Sequence, residues 1–472
     1  MALVGALALN AAMATETEET TTLDTTGGHT ITVAAGDTLV YSGKITGSGQ
    51  LTKIGGGVLK LTCPDNDFTG GISILTGQVE AARSGCLGTG SVLIRNNDVG
   101  LVFSAPEGVF SNAITKATVS GDFLDFKADT TLFGYINANS CTLYLSVDEG
   151  VKVVFKGDVN LGAKPFSFKK MKGTMVFDGK ITSSGGGGIQ MYGTTGSEGG
   201  KFIYNNPENG MGWLQFGQAV HVCSNENAIG GAIIKPRHTS TESGYVDLNG
   251  FDQRIRSLSF MQASNLSVIK SGDSTSARVV SETPATLTLT GTGAGTSDLC
   301  NCLVDGKVSL VIDADPAYTN QFGYRVNGMS GDVNVRSGVF DLMGENTRFP
   351  NVPKIIVGEQ GGFISRSSYV GVSLPAVTNL TLASGGCFEI QNDTTKPPKH
   401  RCPFTQGRLH LDVQADSALR LMDDICVTVN TFRVSGAYQH KGSYTSAECT
   451  AIKSGTVVVL NGPPRGLCVS FK

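Results

Sequence analysis

The clearest regularity in this chain is an alternation of apolar and polar positions in short runs. Leu59 and Leu61 flank Lys60, Ile72 and Ile74 flank Ser73, and Val92 and Ile94 stand two apart. Successive side chains of a strand point to opposite faces, so each run predicts a strand with one face turned toward a core. The same alternation recurs in "HTITVAAGDTLVYSG", "GVKVVFKGDVNLG", "ATLTLTGTGAGT", "GKVSLVIDADP" and "GTVVVLNG", bounded by Gly, Asn, Asp or Ser. These are strands with turn punctuation. No segment of ten or more residues carries a 3.6-residue period with caps, so almost no helix is expected.

The runs also repeat. At an offset of 20, Gly57 falls on Gly77, Leu59 on Val79, Leu61 on Ala81, Gly70 on Gly90, Ile72 on Val92 and Ile74 on Ile94. The next step places Val79 on Val99 and Ala81 on Leu101. A period of this length with matched apolar and glycine positions is the signature of a solenoid. It predicts two inward rows, Leu59–Val79–Val99 and Leu61–Ala81–Leu101, with glycines at the corners. Cys63 continues the inward series and reads as a small buried hydrophobe. Lys60 and Glu80, one period apart on the outward face, form a candidate stacked ion pair worth under ~1 kcal/mol. Stacked at about 4.8 Å, the chain would make roughly 20 coils. Tyr192 to Gly200 and Asn392 to Phe404 are longer than a coil needs and read as side loops.

Composition sharpens this picture. Gly is 62 of 472 residues and charged residues are 16%, about twice and two-thirds of the usual shares. Lys plus Arg is 37 against 40 Asp plus Glu, a net charge of −3, which offers no basic footprint for nucleic acid. No apolar run reaches the 18 or more residues of a spanning helix. Residues 1–14 begin apolar and contain Ala12-Met13-Ala14, a small-x-small step that reads as the remnant of a signal peptide without its charged start. Residues 15–28, rich in Thr and Glu, read as a disordered leader. Residues 29–472 then form a single elongated β-solenoid. The leader and the "NGPPRGLCVSFK" tail, with Pro463 and Pro464, are candidate covers for its open ends. Eleven cysteines show no zinc spacing; Cys449 and Cys468 are a candidate disulfide in an exported chain.

One segment carries a family likeness. "GSGQLTKIGGGVLKL", "FTGG" at Phe68 to Gly71 and "GQVEAARSGCLGTG", within Gly47 to Ile94, resemble the autotransporter-associated β-strand repeat, also called the passenger-associated transport repeat. "GYVDLNGFDQRIRSLSF" from Gly244, "MSGDVNVRSGVFDL" from Met329 and "VTVNTFRVSGAYQHKGSYT" from Val427 are shorter echoes. The resemblance implies an all-β, right-handed parallel β-helix of the pectin-lyase-like kind with loop insertions. It also implies a secreted or cell-surface protein of a Gram-negative-type bacterium. A translocating barrel needs at least about eight strands of some ten residues with aromatic girdles, and none is legible before Lys472. The chain therefore resembles the barrel-less, surface branch of the family, or a passenger cut from a longer protein.

Parallel β-helices also host polysaccharide lyases and hydrolases, which need paired carboxylates or a base beside clustered acids. The candidates here are Asp65 with Asp67, Asp313 with Asp315, and Asp423 with Asp424. Each pair lies at a strand end, where Asp is favoured for local backbone hydrogen bonds. The six histidines are dispersed, and no nucleophile or phosphate-loop motif occurs. "GGGGI" at Gly185 to Ile189 reads as a turn. Lys396, Lys399, His400 and Arg401 form a basic loop in a Pro-containing segment that reads first as a solvated loop, with grip on an acidic glycan or cell-envelope polymer as the alternative. No catalytic, cofactor or metal residue is assigned. The expectation is a non-enzymatic structural and adhesive β-helix passenger, its partners surface glycans, cell-envelope polymers or copies of itself, laterally or end to end. The alternative is a carbohydrate-active β-helix or a glycan-binding module.

Overall fold

A computed structural model describes residues 14–96, 99–117, 123–138, 141–191, 200–216, 219–236, 244–259, 278–296, 303–323, 327–343, 347–367, 373–392, 402–421 and 425–462. The chain is all-β: among the described residues there is no helix, and nearly every strand pair is parallel. It folds as a right-handed parallel β-helix of about 15 turns. Coils are fewer than the expected 20 because many are longer than 20 residues. Asn379 pairs with His410, for example, an offset of 31. Two compact units, residues 1–187 and 188–472, share this construction, a division finer than the single solenoid expected over 29–472.

In the first unit one face stacks Glu16–Glu19, Thr38–Tyr41, Val58–Leu61, Gln78–Ala81, Gly100–Phe103, Phe123–Phe126, Leu143–Val147 and Phe166–Met171 in that order. A second face runs from His29–Thr32 through Leu51–Ile54, Ile72–Ile74 and Val92–Ile94 to Ile181–Thr182. The register confirms Leu59 opposite Val79, Leu61 opposite Ala81, Ile72 opposite Val92 and Ile74 opposite Ile94. At the next step it departs from the expected rows. Val79 pairs with Leu101 and Ala81 with Phe103, because that coil takes two more residues in its turn. Val99 is still buried, but it stands outside the row. Aromatic side chains then fill the interior as the coils widen: Phe103 stacks on Phe126 at 5.1 Å, and Phe155 on Phe177 at 5.2 Å.

Two other expectations are corrected. Residues 15–28 are no disordered leader: Glu16–Glu19 pairs with Thr38–Tyr41 and Leu23–Asp24 with Ile45–Thr46. This coil needs little core, because it is held by the backbone ladder and by the buried Thr25, whose hydroxyl donates to Thr46 O at 2.9 Å. Cys63 is only half-buried. The strand ends at Leu61, and the buried positions that follow are Asn66 and Phe68. The outward pair is as expected, with Lys60 Nζ 2.9 Å from Glu80 Oε1.

Corners and interior use polar devices that strand periodicity does not reveal. Asn66 accepts from Ile45 N at 2.7 Å and donates to Cys86 O at 2.7 Å, bridging three coils where the strand ladder is interrupted. Asn112 and Asn209 make similar bridges to Gly90 O and Ala228 O. Lys53 lies in an inward row, Ile31–Lys53–Ile74–Ile94–Lys116, and is fully buried. Its ammonium donates to Ile54 O, Gly55 O and Thr76 O at 2.9, 2.7 and 3.2 Å. Gly55 and Gly77, both at positive φ, complete the corner. A Cβ on Gly55 would collide with the Val33 carbonyl, and one on Gly77 with the Gly55 carbonyl. Glycine here is required by stacking, not only by turning.

Toward the other end of the chain, in the second unit, Phe340, Phe363 and Phe388 form a row at 5.4 and 5.1 Å. Thr456–Val459 is covered on its outer side by the antiparallel Gly442–Tyr444, a short strand of the kind that blunts an edge. The expected covers at Pro463 and Pro464, the side loops at 192–199 and 393–401, Cys468 and the signal-like residues 1–13 lie outside the described residues.

Leu61→Asp is expected to cost several kcal/mol by placing an unpaired carboxylate in the row of Leu61, Ala81 and Phe103; a thermal unfolding curve superimposable on the parent's would contradict this burial. Burial pulls Lys53 down from 10.5 to about 8. The unfolded chain therefore binds more protons between pH 8 and 10.5, and this group makes stability rise with pH across that window. In urea unfolding, the parent's stability should rise relative to that of Lys53→Met over that range if the lysine is placed as described, and parallel pH dependences would reject it.

Candidate functional site

Of the three carboxylate pairs singled out in the sequence, two lie among the described residues. Asp65 and Asp67 are exposed, and Asp67 pairs with Lys44 at 2.7 Å. Hydrogen bonds from Lys44 and Thr46 hold its carboxyl below the usual range. Asp313 pairs with Arg254 at 3.0 Å, while Asp315 accepts from the Gly293 amide in a turn. Asp423, Asp424, Lys396, Lys399, His400 and Arg401 lie outside the described residues. Gly185 to Ile189 makes a turn leading into the strand Gly188–Met191, with Gly186 at positive φ.

His221 is the most strongly perturbed titratable side chain with a plausible chemistry, and it is a core residue. It is fully buried, stacked on Phe202 at 4.5 Å, with Nδ1 2.9 Å from Tyr204 Oη. Burial pushes its pKa from 6.5 down to about 3, so the ring is neutral at physiological pH. Its inward strand position excludes substrate, and the neighbouring Cys223 thiol is raised by the same desolvation. No group of His, Cys, Asp and Glu suited to a metal ion occurs among the described residues.

Two outward grooves of the second unit bring polar residues together. The first, about 330 Å³, is lined by Tyr245, Asp247, Arg278, Glu282 and Asp305 among others. Asp247 and Asp305 both pair with Val280 from opposite sides, so their backbones are two strand steps, about 10 Å, apart. Each aspartate also commits an oxygen to a turn: Asp247 Oδ1 accepts from Asn249 N at 2.8 Å, and Asp305 Oδ1 from Gly306 N at 2.9 Å.

The second groove, about 410 Å³, crosses four rungs. The strands Lys354–Ser367, Asn379–Leu382, Leu409–Val413 and Cys426–Val434 lie side by side. Their register lines up Lys354, Asn379, His410 and Thr431 in one outward row, and Thr381, Asp412 and Arg433 in the next. A register shift between Leu409 and His410 gives the last strand one extra residue, Asn430. His410 sits between Thr431 Oγ1, 2.8 Å from Nδ1, and Asn430 Nδ2, 3.4 Å from Nε2. After Val434 the chain reverses through Ser435 and Gly436, both at positive φ, and Ala437–Tyr438 returns antiparallel. That reversal raises Tyr438 as an exposed wall, with the Arg433 guanidinium 5.1 Å from its ring centre and 3.3 Å from Asp412 Oδ2. The sequence reading missed this groove. Its only forward signal was the "VTVNTFRVSGAYQHKGSYT" segment, which supplies Thr431, Arg433 and Tyr438.

His221 carries a testable consequence. The unfolded chain takes up a proton near pH 6.5 and the folded one only near 3, so stability falls as pH drops through that interval. Chemical unfolding at intervals from pH 7 to 4 should show His221→Phe losing less stability than the parent; equal losses would place the imidazole in solvent. Among known proteins, no family model, no curated protein and no solved structure matches the chain.

Proposed function

We propose that this chain is a non-enzymatic β-helix of the autotransporter-associated kind, secreted or displayed at a bacterial surface, with a structural and adhesive role toward surface glycans. The observation that carries the reading is the four-rung strip from Lys354 to Tyr438. It offers hydroxyl, amide and imidazole groups beside an exposed aromatic ring, a combination suited to the polar edges and apolar faces of sugars. The Gly47 to Ile94 repeat supports the passenger-like assignment. The stacked coils supply a rigid scaffold on which such a strip keeps its spacing, since every rung is tied to its neighbours by the backbone ladder. Cell-envelope polymers and other copies of the chain are further partners of the same reading.

A carbohydrate-active enzyme is the second reading, and the groove at Asp247, Arg278, Glu282 and Asp305 is what favours it. The two readings separate by turnover. Incubation with polygalacturonate, alginate and glycosaminoglycans, with and without Ca²⁺, is expected to release neither new reducing ends nor unsaturated products. Cleavage that disappears in Asp247→Asn or Asp305→Asn would overturn the non-enzymatic reading.

A further inference from the structure

We infer that the Lys354–Tyr438 groove holds an anionic polysaccharide laid across the strands along the helix axis, with Lys354 as its charge-selecting residue. The inference rests on the adhesive reading above and deepens it. Along the outward row the polar groups Lys354, Asn379, His410 and Thr431 recur once per strand, so a polymer parallel to the axis meets one of them every ~4.8 Å. A polymer lying along a strand would meet only one rung and leave most of these groups unused.

The charge balance decides between neutral and anionic sugars. Asp412 is the one carboxylate lining the groove among the described residues, and it lies 3.3 Å from the Arg433 guanidinium. Arg433 also donates to Gly436 O and lies against Tyr438, so this cation is already engaged. The Lys354 ammonium, at the other end of the row, makes no ion pair and no hydrogen bond among the described residues. An uncompensated ammonium at a groove rim attracts a negative group over distance and binds it more strongly than a neutral one. Lysine is a point charge rather than a planar fork, so it accepts carboxylate and sulfate alike. Asn379, exposed, and Thr381 supply neutral hydrogen-bonding groups on the next rung. The far end is closed by Tyr438, whose position follows from the Ser435–Gly436 reversal.

Calorimetric titration of the full chain with oligogalacturonate, heparin oligosaccharides and neutral cello-oligosaccharides tests this. At least one anionic probe is expected to bind, to weaken as salt rises, and to lose about tenfold in affinity in Lys354→Gln. Asn379→Ala should weaken the same probe, whereas Lys60→Gln, on an outward face of the first unit, should not. Which anion binds identifies the acidic group. Equal binding of neutral and anionic probes would overturn the inference. Anionic binding that is indifferent to Lys354→Gln and Asn379→Ala, in variants whose melting matches the parent, would overturn the groove while leaving an adhesive surface elsewhere. No binding of any probe would overturn both the groove and the glycan-contact reading.

Discussion

The backbone ladder between successive coils is the interaction on which the rest of this structure depends. Because nearly every strand pairs in parallel with the one a coil away, a residue's neighbours are its counterparts in the coils before and after it. The ladder is indifferent to side-chain identity, which is why the Thr- and Glu-rich Glu16–Glu19 can be a strand beside Thr38–Tyr41 with almost no core beneath it. Side chains then decide what each row becomes. Leu59 with Val79 and Leu101 fills the interior, while Lys60 with Glu80 lines the outside.

The ladder has to be interrupted at every corner, and there the molecule turns to buried polar side chains. Asn66, Asn112 and Asn209 reach carbonyls that no strand satisfies, and Lys53 gathers three carbonyls at the Gly55 corner. An unpaired buried carbonyl costs roughly 1–3 kcal/mol; Ile54 O already accepts from Val33 N, so it is the lysine's bonds to Gly55 O and Thr76 O that offset part of its own desolvation. The same accounting separates structural from functional polarity. His221 and Lys53 are enclosed and committed, whereas the groove residues stand on outward positions.

Grooves arise where the stack loses its regularity. The extra residue at Asn430 and the reversal at Ser435 break the parallel pattern within a few residues of each other, and together they set His410 and lift Tyr438 into a wall. β-Bulges commonly re-aim side chains in this way. A flat, uninterrupted face offers rows of alternating groups with no concavity; the departure from repetition supplies the shape.

The sequence alone determined the fold class, the facing of the first coils and the place of the corners. Two-residue alternation and a 20-residue offset are local signals, and they place Leu59 on Val79 and Ile72 on Val92 without any knowledge of the whole. They failed where coil length changed. Nothing apolar counts the residues of an exposed turn, so Leu101, not Val99, continues the row of Val79. They failed also for Cys63, where the strand stops, and they gave no sign of the buried Lys53, because a lysine at an alternating position is indistinguishable from an outward one until the carbonyls around it are placed. The groove was beyond reach for the same reason. Lys354, Asn379, His410 and Thr431 are separated by 25, 31 and 21 residues, offsets with no common period, and only the backbone register of the folded chain brings them into one row.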